Sequence, residues 1–502
     1  MKLRLENSHA VKISLIFLLA ILPLPLASSF AQETEAETKT SAAAPKPRSD
    51  FSKWWSDRVG PNYKHATSAA VEHWKDQKFG MRIHWGPYAV LGLDASWPLQ
   101  SSSPEFQKIY FTSYQVFHPT DFDANKWAEL AERAGMKYFV LTTRHHDGFS
   151  MFDTKTTVQS IRRIPSKKSD GGIGATESCD IHYSVMDTPY PHDIVAAVAA
   201  AFRKRGLGVG FYYSWPDWHD PNFRWDAHNM FYDPHYSRTS DPEQWQQFID
   251  RIREQIRELS SNYGDLFEIS FDGNLPQGAW SDTVKTIELA RQQQPGVMFR
   301  ERGIGPYGDF TTPEHWIPQD PFAELLGMPW EAIEQLGTQW AYTPNDSYKP
   351  KEWVLRTLID VVAKGGNFMV GISPMANGEF PRETIERLEY TGDWLRVNGE
   401  AIYRTRPWNV FKEADDVRFT RTKDGKYVYV IVLKWPGRSL TVHSVRAVEG
   451  SPIVMLGVTP KLKWHEDKDG LTIEIPGEVE KHRPGLQAYT FKVQAKPFQT
   501  NY

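Results

Sequence analysis

The amino-acid sequence predicts an α/β protein with a (β/α)₈ barrel-like domain followed by an antiparallel β-sandwich. From residue 51 to 408, short apolar stretches alternate with helical patterns, which is typical of a parallel sheet covered by helices. From residue 409 to 502, short β-branched runs are separated by Gly, Pro, Asp and Lys, which is typical of antiparallel strands joined by turns. A chain of 502 residues is long enough for both domains.

The strands of the first domain are predicted from β-favouring runs that end in polar residues. One of them, residues 268–272, is followed by the turn residues Gly273 and Asn274. The predicted strands are 79–86, 138–143, 207–213, 268–272, 297–300 and 367–372. Residues 125–134 have helical spacing, with Trp127 and Leu130 on one face and Gly135 at the end. Further helices are predicted over 192–205 and 242–260, and up to about residue 291.

The second domain is predicted from shorter strand-like runs. They are 417–420, 427–433, 439–442, 471–475 and 487–493. In the first domain, residues 155–190 contain a glycine cluster that no strand and helix frame, so we interpret this segment as an inserted loop rather than a phosphate site. It holds the single cysteine, Cys179, so no internal disulfide is expected.

The N-terminus has the pattern of an export signal. Lys2, Arg4 and Lys12 precede an apolar run over residues 13–27, and Ser29 and Ala31 offer small side chains at the positions that a signal peptidase needs. We therefore expect a signal peptide over residues 1–31, cleavage near Ala31, and a secreted or periplasmic protein. Residues 32–50 are rich in Glu, Thr, Ala, Pro and Lys and are predicted to be a disordered linker.

Composition narrows the classes of partner. The formal net charge of −4 gives no reason to expect nucleic acid or a membrane surface. The chain has 19 Trp and 21 Tyr, and such rings stack on the apolar faces of sugars, although they equally suit a large core. A carbohydrate partner and a homo-oligomer are both compatible with this composition.

Reactive side chains follow several of the predicted strands. Asp272 ends the strand 268–272, and His84, the pair His145 and His146, and Tyr212 end others. In barrels of alternating strands and helices, the C-terminal ends of the strands carry the catalytic side chains. The structural alternative is that Asp272 caps the following helix or starts a turn.

These side chains suit hydrolysis by two carboxyl groups. His145 and His146 are adjacent on an extended strand and point to opposite sides, which makes them a poor metal pair. The sequence has no zinc-binding spacing, no nucleophile elbow and no cofactor motif, so we expect neither a metal nor a cofactor. In glycoside hydrolysis, one carboxylate attacks the anomeric carbon and a second carboxyl protonates the leaving oxygen.

The sequence resembles the α-L-fucosidases of glycoside hydrolase family 29 over about residues 54–408. The motifs that carry the resemblance are Lys78-Phe79-Gly80, Ile83-His84-Trp85-Gly86-Pro87-Tyr88, His145-His146-Asp147-Gly148-Phe149, Tyr212-Tyr213-Ser214, Phe271-Asp272-Gly273, Pro329-Trp330-Glu331 and the run 360–367. The resemblance implies a metal-independent exo-glycosidase that removes terminal α-L-fucosyl residues from oligo- or polysaccharides with retention of configuration. It also implies a barrel with a C-terminal β-sandwich.

By the same resemblance, Asp272 is expected to be the nucleophile and Glu314 the acid/base, with Glu331 as the reserve candidate for the acid/base. The residues expected to bind the sugar are His84, Trp97, His145, His146, Tyr212, Arg302, Trp340 and Arg82. In a retaining enzyme the two carboxyl groups should lie about 5–5.5 Å apart. The acid/base should be held protonated in the free enzyme by burial or by a nearby negative charge.

Three positions depart from the family pattern. Arg82 stands where the family usually has an apolar or aromatic residue, Ser96 where it usually has a sugar-binding Glu, and Ser270 where it often has a Trp against the C5 methyl group. Arg82 could bind a sulfate or carboxylate, or it could face away from the site and pair with a core acid. The alternatives left open are α-L-galactose or a sulfated sugar as substrate, a homologue that binds carbohydrate without catalysis, and a metal-dependent hydrolase.

Overall fold

The computed structural model describes residues 59–159, 180–229, 231–485 and 487–497. The predicted signal peptide and linker lie outside the described residues, as do residues 160–179 of the predicted inserted loop and therefore Cys179. The described part of that loop includes a short antiparallel pairing of residues 158–159 with 180–181.

Seven parallel strands form the curled sheet of the first domain. They are β1 (Phe79–Ile83), β2 (Tyr138–Arg144), β3 (Gly208–Ser214), β4 (Glu268–Asp272), β5 (Met298–Phe299), β6 (Glu331–Gln335) and β7 (Asn367–Ile372). Their order in the sheet is β5-β4-β3-β2-β1-β7-β6. All five residues of β4 are buried, as expected for a strand that is covered on both faces.

An irregular segment, residues 309–314, lies between the two edge strands of this sheet. It forms parallel bridges from Phe310 to Arg300, directly after β5, and from Glu314 to Ile333 in β6. The segment therefore occupies the eighth position and links β5 to β6. The predicted barrel-like class is confirmed, with seven regular strands and one irregular segment, in which Pro313 has no N–H to give to a ladder.

Helices surround the sheet. They are α1 (Ser68–Gln77), α2 (Pro104–Thr112), α3 (Ala124–Arg133), α4 (Ile194–Lys204), α5 (Pro242–Ser261), α6 (Trp280–Gln293), α7 (Pro321–Glu324), α8 (Trp353–Ala363) and α9 (Arg382–Asn398). The side chain of Asp123 caps α3 by accepting hydrogen bonds from the N–H groups of Asn125 and Lys126. Trp127 and Leu130 are buried on its inner face, as their spacing predicted.

The C-terminal domain is built from antiparallel strands around its own core. Its elements are β8 (Arg406–Glu413), β9 (Val417–Arg421), β10 (Tyr427–Val432), β11 (Ser439–Val442), β12 (Ile453–Met455), β13 (Lys461–Leu462), β14 (Trp464–Asp467), β15 (Gly470–Glu474), α10 (Gly477–Lys481) and β16 (Tyr489–Gln494). One sheet has the order β8-β9-β10-β16-β12-β13 and the other β11-β15-β14. Side chains of both sheets, such as Phe491 and Ile473, share one hydrophobic cluster, as in the predicted sandwich.

Polar contacts join this domain to the barrel helices. Trp394 Nε1 in α9 donates a 2.8 Å hydrogen bond to the carbonyl of Ala488, and Arg418 Nε in β9 lies 2.6 Å from Asp360 Oδ1 in α8. The predicted domain boundary at residues 408–409 falls inside β8. No helix of the described residues is both long and apolar enough to span a membrane.

Candidate active site

Asp272 is the last residue of β4, and the turn after it holds its backbone in place. Gly273 adopts a φ of +70°, and a Cβ atom there would lie 2.5 Å from Pro216 Cδ, so no larger residue fits this turn without rearrangement. The carbonyl of Asp272 accepts a 2.8 Å hydrogen bond from the N–H of Trp215. Ala279 precedes α6 without a side-chain cap, so Asp272 is not the cap of the following helix.

The carboxylate of Asp272 is surrounded by hydrogen-bond donors. Tyr212 donates its hydroxyl to Oδ2 at 2.6 Å, Arg302 Nη1 donates to Oδ1 at 3.2 Å, and His146 Nε2 lies 3.7 Å from Oδ2. Burial raises the pKa of Asp272, but Arg300, His146, Arg302 and the Tyr212 hydroxyl outweigh it and hold the pKa well below its usual range. Asp272 is therefore ionised at neutral pH, as a nucleophile requires.

Glu314 lies beside Asp272 because both contact the same guanidinium. Arg302 Nη1 lies 3.2 Å from Asp272 Oδ1 and 2.6 Å from Glu314 Oε2, so these two oxygens are separated by at most the sum, about 5.8 Å. Arg300 Nη2 donates to the other oxygen of Glu314. Two carboxylates at this separation match a retaining pair, about 5–5.5 Å, and are closer than the roughly 6.5–9.5 Å of an inverting pair.

The charge state of Glu314 in the empty site differs from the sequence expectation. Burial raises the pKa of Glu314, but Arg300 and Arg302 together outweigh burial and the opposing effect of Asp272, so the pKa lies below its usual value. Without a sugar in the site, Glu314 is therefore ionised rather than held protonated. The physical reason is that two guanidinium groups flank it and only one carboxylate does.

Glu331, the reserve candidate, is not brought to this site. It is the first residue of β6, fully buried, and accepts a hydrogen bond from Tyr138, the first residue of β2. Burial and the neighbouring Glu268 raise its pKa well above the usual range. Glu268 starts β4 and Asp272 ends it, four residues or about 13 Å further along the strand. Glu331 thus lies at the opposite end of the barrel from Asp272.

Aromatic rings form a connected wall around the carboxylates. The ring of His84 lies 5.4 Å from those of His145 and Tyr212 and 5.3 Å from that of Trp340, measured between centroids. Trp97 lies 5.0 Å from His146 and 5.7 Å from His145. The structure therefore brings all six of these predicted sugar-binding residues together. The expectation that His145 and His146 point to opposite sides is wrong, because β2 ends at Arg144 and the two rings lie 4.5 Å apart between centroids.

The histidines of this wall are arranged to bind hydroxyl groups. His84 Nδ1 is hydrogen-bonded to Thr142 Oγ1 at 3.0 Å and His145 Nδ1 to Ser96 Oγ at 2.5 Å, which leaves Nε2 of each ring for a ligand. Burial lowers the pKa of His84 and His145 well below the usual value, and that of His146 to about 4. Neutral imidazoles can both donate and accept, as sugar hydroxyls do.

The three unusual positions lie in or beside the barrel interior. Ser96 bonds His145, as above, and Ser270 donates a 2.7 Å hydrogen bond to Glu268 Oε1. The guanidinium of Arg82 lies under the ring of Tyr212, with its Cζ 4.0 Å from the centroid, and the residue is only 2% exposed. Within the described residues no ion pair is found for Arg82, and its Nε and Nη1 have no hydrogen-bond partner. It therefore faces inward, as the charged-pocket version requires, and it does not pair with a core acid. Burial lowers the pKa of Arg82 to about 10, and Glu314 and Asp272 oppose that shift, so the guanidinium lies within electrostatic range of both candidate carboxylates.

Two residues of the site lie in clusters that follow predicted strands but were given no role by the sequence analysis. Arg300 is fully buried and contacts Glu314. Trp218 packs its ring 5.0 Å from that of His146, and its backbone N–H donates to the His146 carbonyl at 2.7 Å. The signal for Arg300 was a second arginine two residues before Arg302 at the end of a predicted strand. Across residues 59–159, 180–229, 231–485 and 487–497, no group of three or more His, Cys, Asp or Glu is placed to hold a metal.

Comparison with known proteins identifies the family. The family model described as Alpha-L-fucosidase matches residues 50–400, and the Alpha-L-fucosidase C-terminal domain matches residues 412–494. Human tissue alpha-L-fucosidase is 27% identical over 470 residues, covering 87% of this chain and 92% of the relative. Human plasma alpha-L-fucosidase is 26% identical over 454 residues, covering 84% and 89%.

Solved structures show the same architecture. Alpha-L-fucosidase isoenzyme 1 from Paenibacillus thiaminolyticus superposes with a TM-score of 0.70 at 27% identity, covering 85% of this chain and all of that one. The Thermotoga maritima alpha-fucosidase has a TM-score of 0.66 at 24% identity and covers 86% and 100%, which supports the fold. The match of the family model to well over half of the sequence shows that the chain belongs to the alpha-L-fucosidase family.

Proposed function

We propose that the protein is an exo-acting, retaining α-L-fucosidase in which Asp272 is the nucleophile and Glu314 the acid/base. The observation that carries this proposal is the shared contact of Arg302, which limits the separation of the two carboxylates to about 5.8 Å. Membership of the alpha-L-fucosidase family supports the choice of sugar.

The reaction proceeds in two displacements. In the first, an oxygen of Asp272 bonds to the anomeric carbon, the bond from that carbon to the leaving oxygen breaks, and Glu314 gives its proton to the leaving oxygen. In the second, Glu314 takes a proton from water, whose oxygen bonds to the anomeric carbon as Asp272 leaves as a carboxylate. Two inversions at one carbon retain the configuration.

Arg302 links substrate entry to the protonation of Glu314. Its side chain is 38% exposed and spans the two carboxylates, so a sugar placed between them displaces at least one of these contacts. Loss of the contact to Glu314 raises the pKa of that carboxyl and favours the acid form. Once Asp272 is an ester its negative charge is gone, which lowers the pKa of Glu314 again and favours the base.

Fucose is favoured over a charged or larger sugar. The neutral histidines and the rings of Trp97 and Trp340 suit an uncharged sugar, since they offer hydrogen bonds and apolar faces. Membership of the alpha-L-fucosidase family supports fucose over α-L-galactose or a sulfated sugar.

The test is a comparison of hydrolysis rates on nitrophenyl α-L-fucoside and nitrophenyl α-L-galactoside, with and without a chelator. We expect the fucoside to be cleaved at least about tenfold faster in kcat/KM, with no effect of the chelator. Absence of turnover on both would support a binding protein without catalysis. A fall in rate with chelator would support a metal-dependent hydrolase.

We also propose that the chain is exported and that its physiological partner is a carbohydrate outside the cytoplasm. The basic and apolar pattern of residues 1–31 supports export. Intact-mass measurement and N-terminal sequencing of the protein from its native host should place the mature N-terminus near residue 32. A mature protein that keeps Met1 would contradict this proposal.

A further inference from the structure

The residue after Glu314 has an unusual backbone conformation. His315 is exposed and has a φ of +64°, in the left-handed region that a residue other than Gly adopts only at a cost. Glu314 is held by Arg300 and Arg302, and Ile333 donates its N–H to the carbonyl of Pro313 at 3.1 Å. The chain therefore turns sharply directly beyond the fixed carboxylate, and the turn decides where the His315 side chain lies.

The ring of His315 packs against the aromatic wall of the sugar site. Its centroid lies 5.2 Å from that of Trp340 in an edge-on arrangement, and Trp340 lies 5.3 Å from His84 on its other side. The backbone of Trp340 is fixed, because its main-chain N–H donates to Asp94 Oδ1 at 2.7 Å and its carbonyl accepts from Ser373 Oγ at 2.6 Å. The wall thus continues from the sugar site past Glu314 to the exposed imidazole.

Trp316 follows His315 in the chain and is exposed. The residue is 44% exposed, and within the described parts of the chain its indole has no aromatic neighbour and no hydrogen bond. An exposed indole costs free energy in water, since about 25 cal/mol is lost for each Å² of apolar surface left uncovered. An exposed indole two residues beyond Glu314 in the chain is available to cover the apolar face of a ligand.

We propose that His315 and Trp316, together with Trp340, form the subsite that binds the leaving-group sugar. The proposal rests on the proposed function, because the leaving oxygen must lie within hydrogen-bond distance of Glu314. The sugar attached to that oxygen begins at Glu314 and extends toward solvent, past the next two residues of the chain. The imidazole of His315 offers a donor and an acceptor to its hydroxyls, and the indole of Trp316 offers a flat apolar face.

The test uses two substrates that differ only on the leaving-group side. Methyl α-L-fucoside carries only a methyl group there, whereas a fucosylated disaccharide carries a sugar, and the leaving oxygen of both substrates needs the proton of Glu314. We measure kcat/KM for both with the wild-type enzyme, His315→Gly and Trp316→Ala. Glycine is chosen because it adopts the left-handed conformation without strain. The matched control is Phe322→Ala, since Phe322 is 43% exposed, lies on the same connection to β6, and packs against Gly327.

We expect the ratio of kcat/KM for the disaccharide to that for methyl α-L-fucoside to fall at least about fivefold in each subsite variant and to stay unchanged in the control. Equal losses on both substrates, or an unchanged ratio, would overturn the subsite. A wild-type enzyme that cleaves neither substrate would instead overturn the proposed function on which the subsite depends.

Discussion

Arg302 holds Glu314 in its ionised form in the empty site, so removing the guanidinium should shift the pH dependence of catalysis. We consider Arg302→Met, which keeps the aliphatic volume and removes the charge. The acid form of Glu314 is needed for the first step, and that form is lost as pH rises through its pKa. Raising the pKa of Glu314 should therefore move the basic limb of the kcat/KM profile to higher pH.

The size of the shift follows from the contact that is lost. Arg302 Nη1 lies 2.6 Å from Glu314 Oε2, and a hydrogen bond between charged groups contributes about 1.5–3 kcal/mol. A change of 1.36 kcal/mol moves a pKa by about one unit. Because 38% of the Arg302 side chain is exposed, solvent screening reduces the effect. We expect the basic limb to move upward by about one unit.

The assay is the pH dependence of kcat/KM on a fucosylated disaccharide, whose poor leaving group requires the acid. Arg302→Lys is the matched control, because it keeps a positive charge and should move the limb by less. The absolute rate of both variants will fall, since each loses a contact to Asp272. A basic limb that stays in place or moves downward in Arg302→Met would refute the electrostatic reasoning.

Three further changes test separate parts of the site. Glu314→Gln should lower kcat/KM on a disaccharide by roughly 10²–10⁴-fold while sparing α-L-fucosyl fluoride, which needs no acid; comparable losses on both substrates would argue against the assignment. Glu331→Gln should change kcat by less than about twofold, because burial and Glu268 keep Glu331 protonated and glutamine mimics that form; a loss like that of Glu314→Gln would reverse the assignment. Gly273→Ala should lower both Tm and kcat, because its Cβ would lie too close to Pro216. Gly206→Ala should lower only Tm, because its Cβ would meet nothing within 4 Å and the free-energy cost is the roughly 1–2 kcal/mol of holding alanine at a φ of +71°. Equal effects of the two substitutions on Tm and kcat would show that the close approach to Pro216 does not matter.

Much of the architecture could be predicted because local signals agreed with the fold. The capped and amphipathic helix α3 was predicted within one residue of its bounds, and the bounds of β4 were predicted correctly. By contrast, β6 was missed, because its sequence Glu-Ala-Ile-Glu-Gln has polar residues at both ends. Those residues have hydrogen-bond partners elsewhere in the fold, such as Tyr138 for Glu331, and no local sequence pattern predicts such partners.

The site was predictable where a residue type and a strand end coincide. Asp272, His84, His146 and Tyr212 all follow this rule and lie together in the structure. The side of the strand that Arg82 faces was not predictable, because alternation separates two faces without saying which is inside. The ionised state of Glu314 was also not predictable, since it depends on two arginines whose side chains reach it only once the barrel is closed.

The central claim is that Asp272 bonds to the anomeric carbon, and trapping that bond is the most direct measurement. A fucosyl fluoride with fluorine in place of the hydroxyl on the second carbon forms an ester with the nucleophile, and this ester is hydrolysed slowly. Proteolysis and mass spectrometry of the trapped enzyme should place the added sugar on Asp272. The sugar released from an ordinary substrate should have the same anomeric configuration as the substrate. A label on another residue, or release of the inverted sugar, would contradict the account.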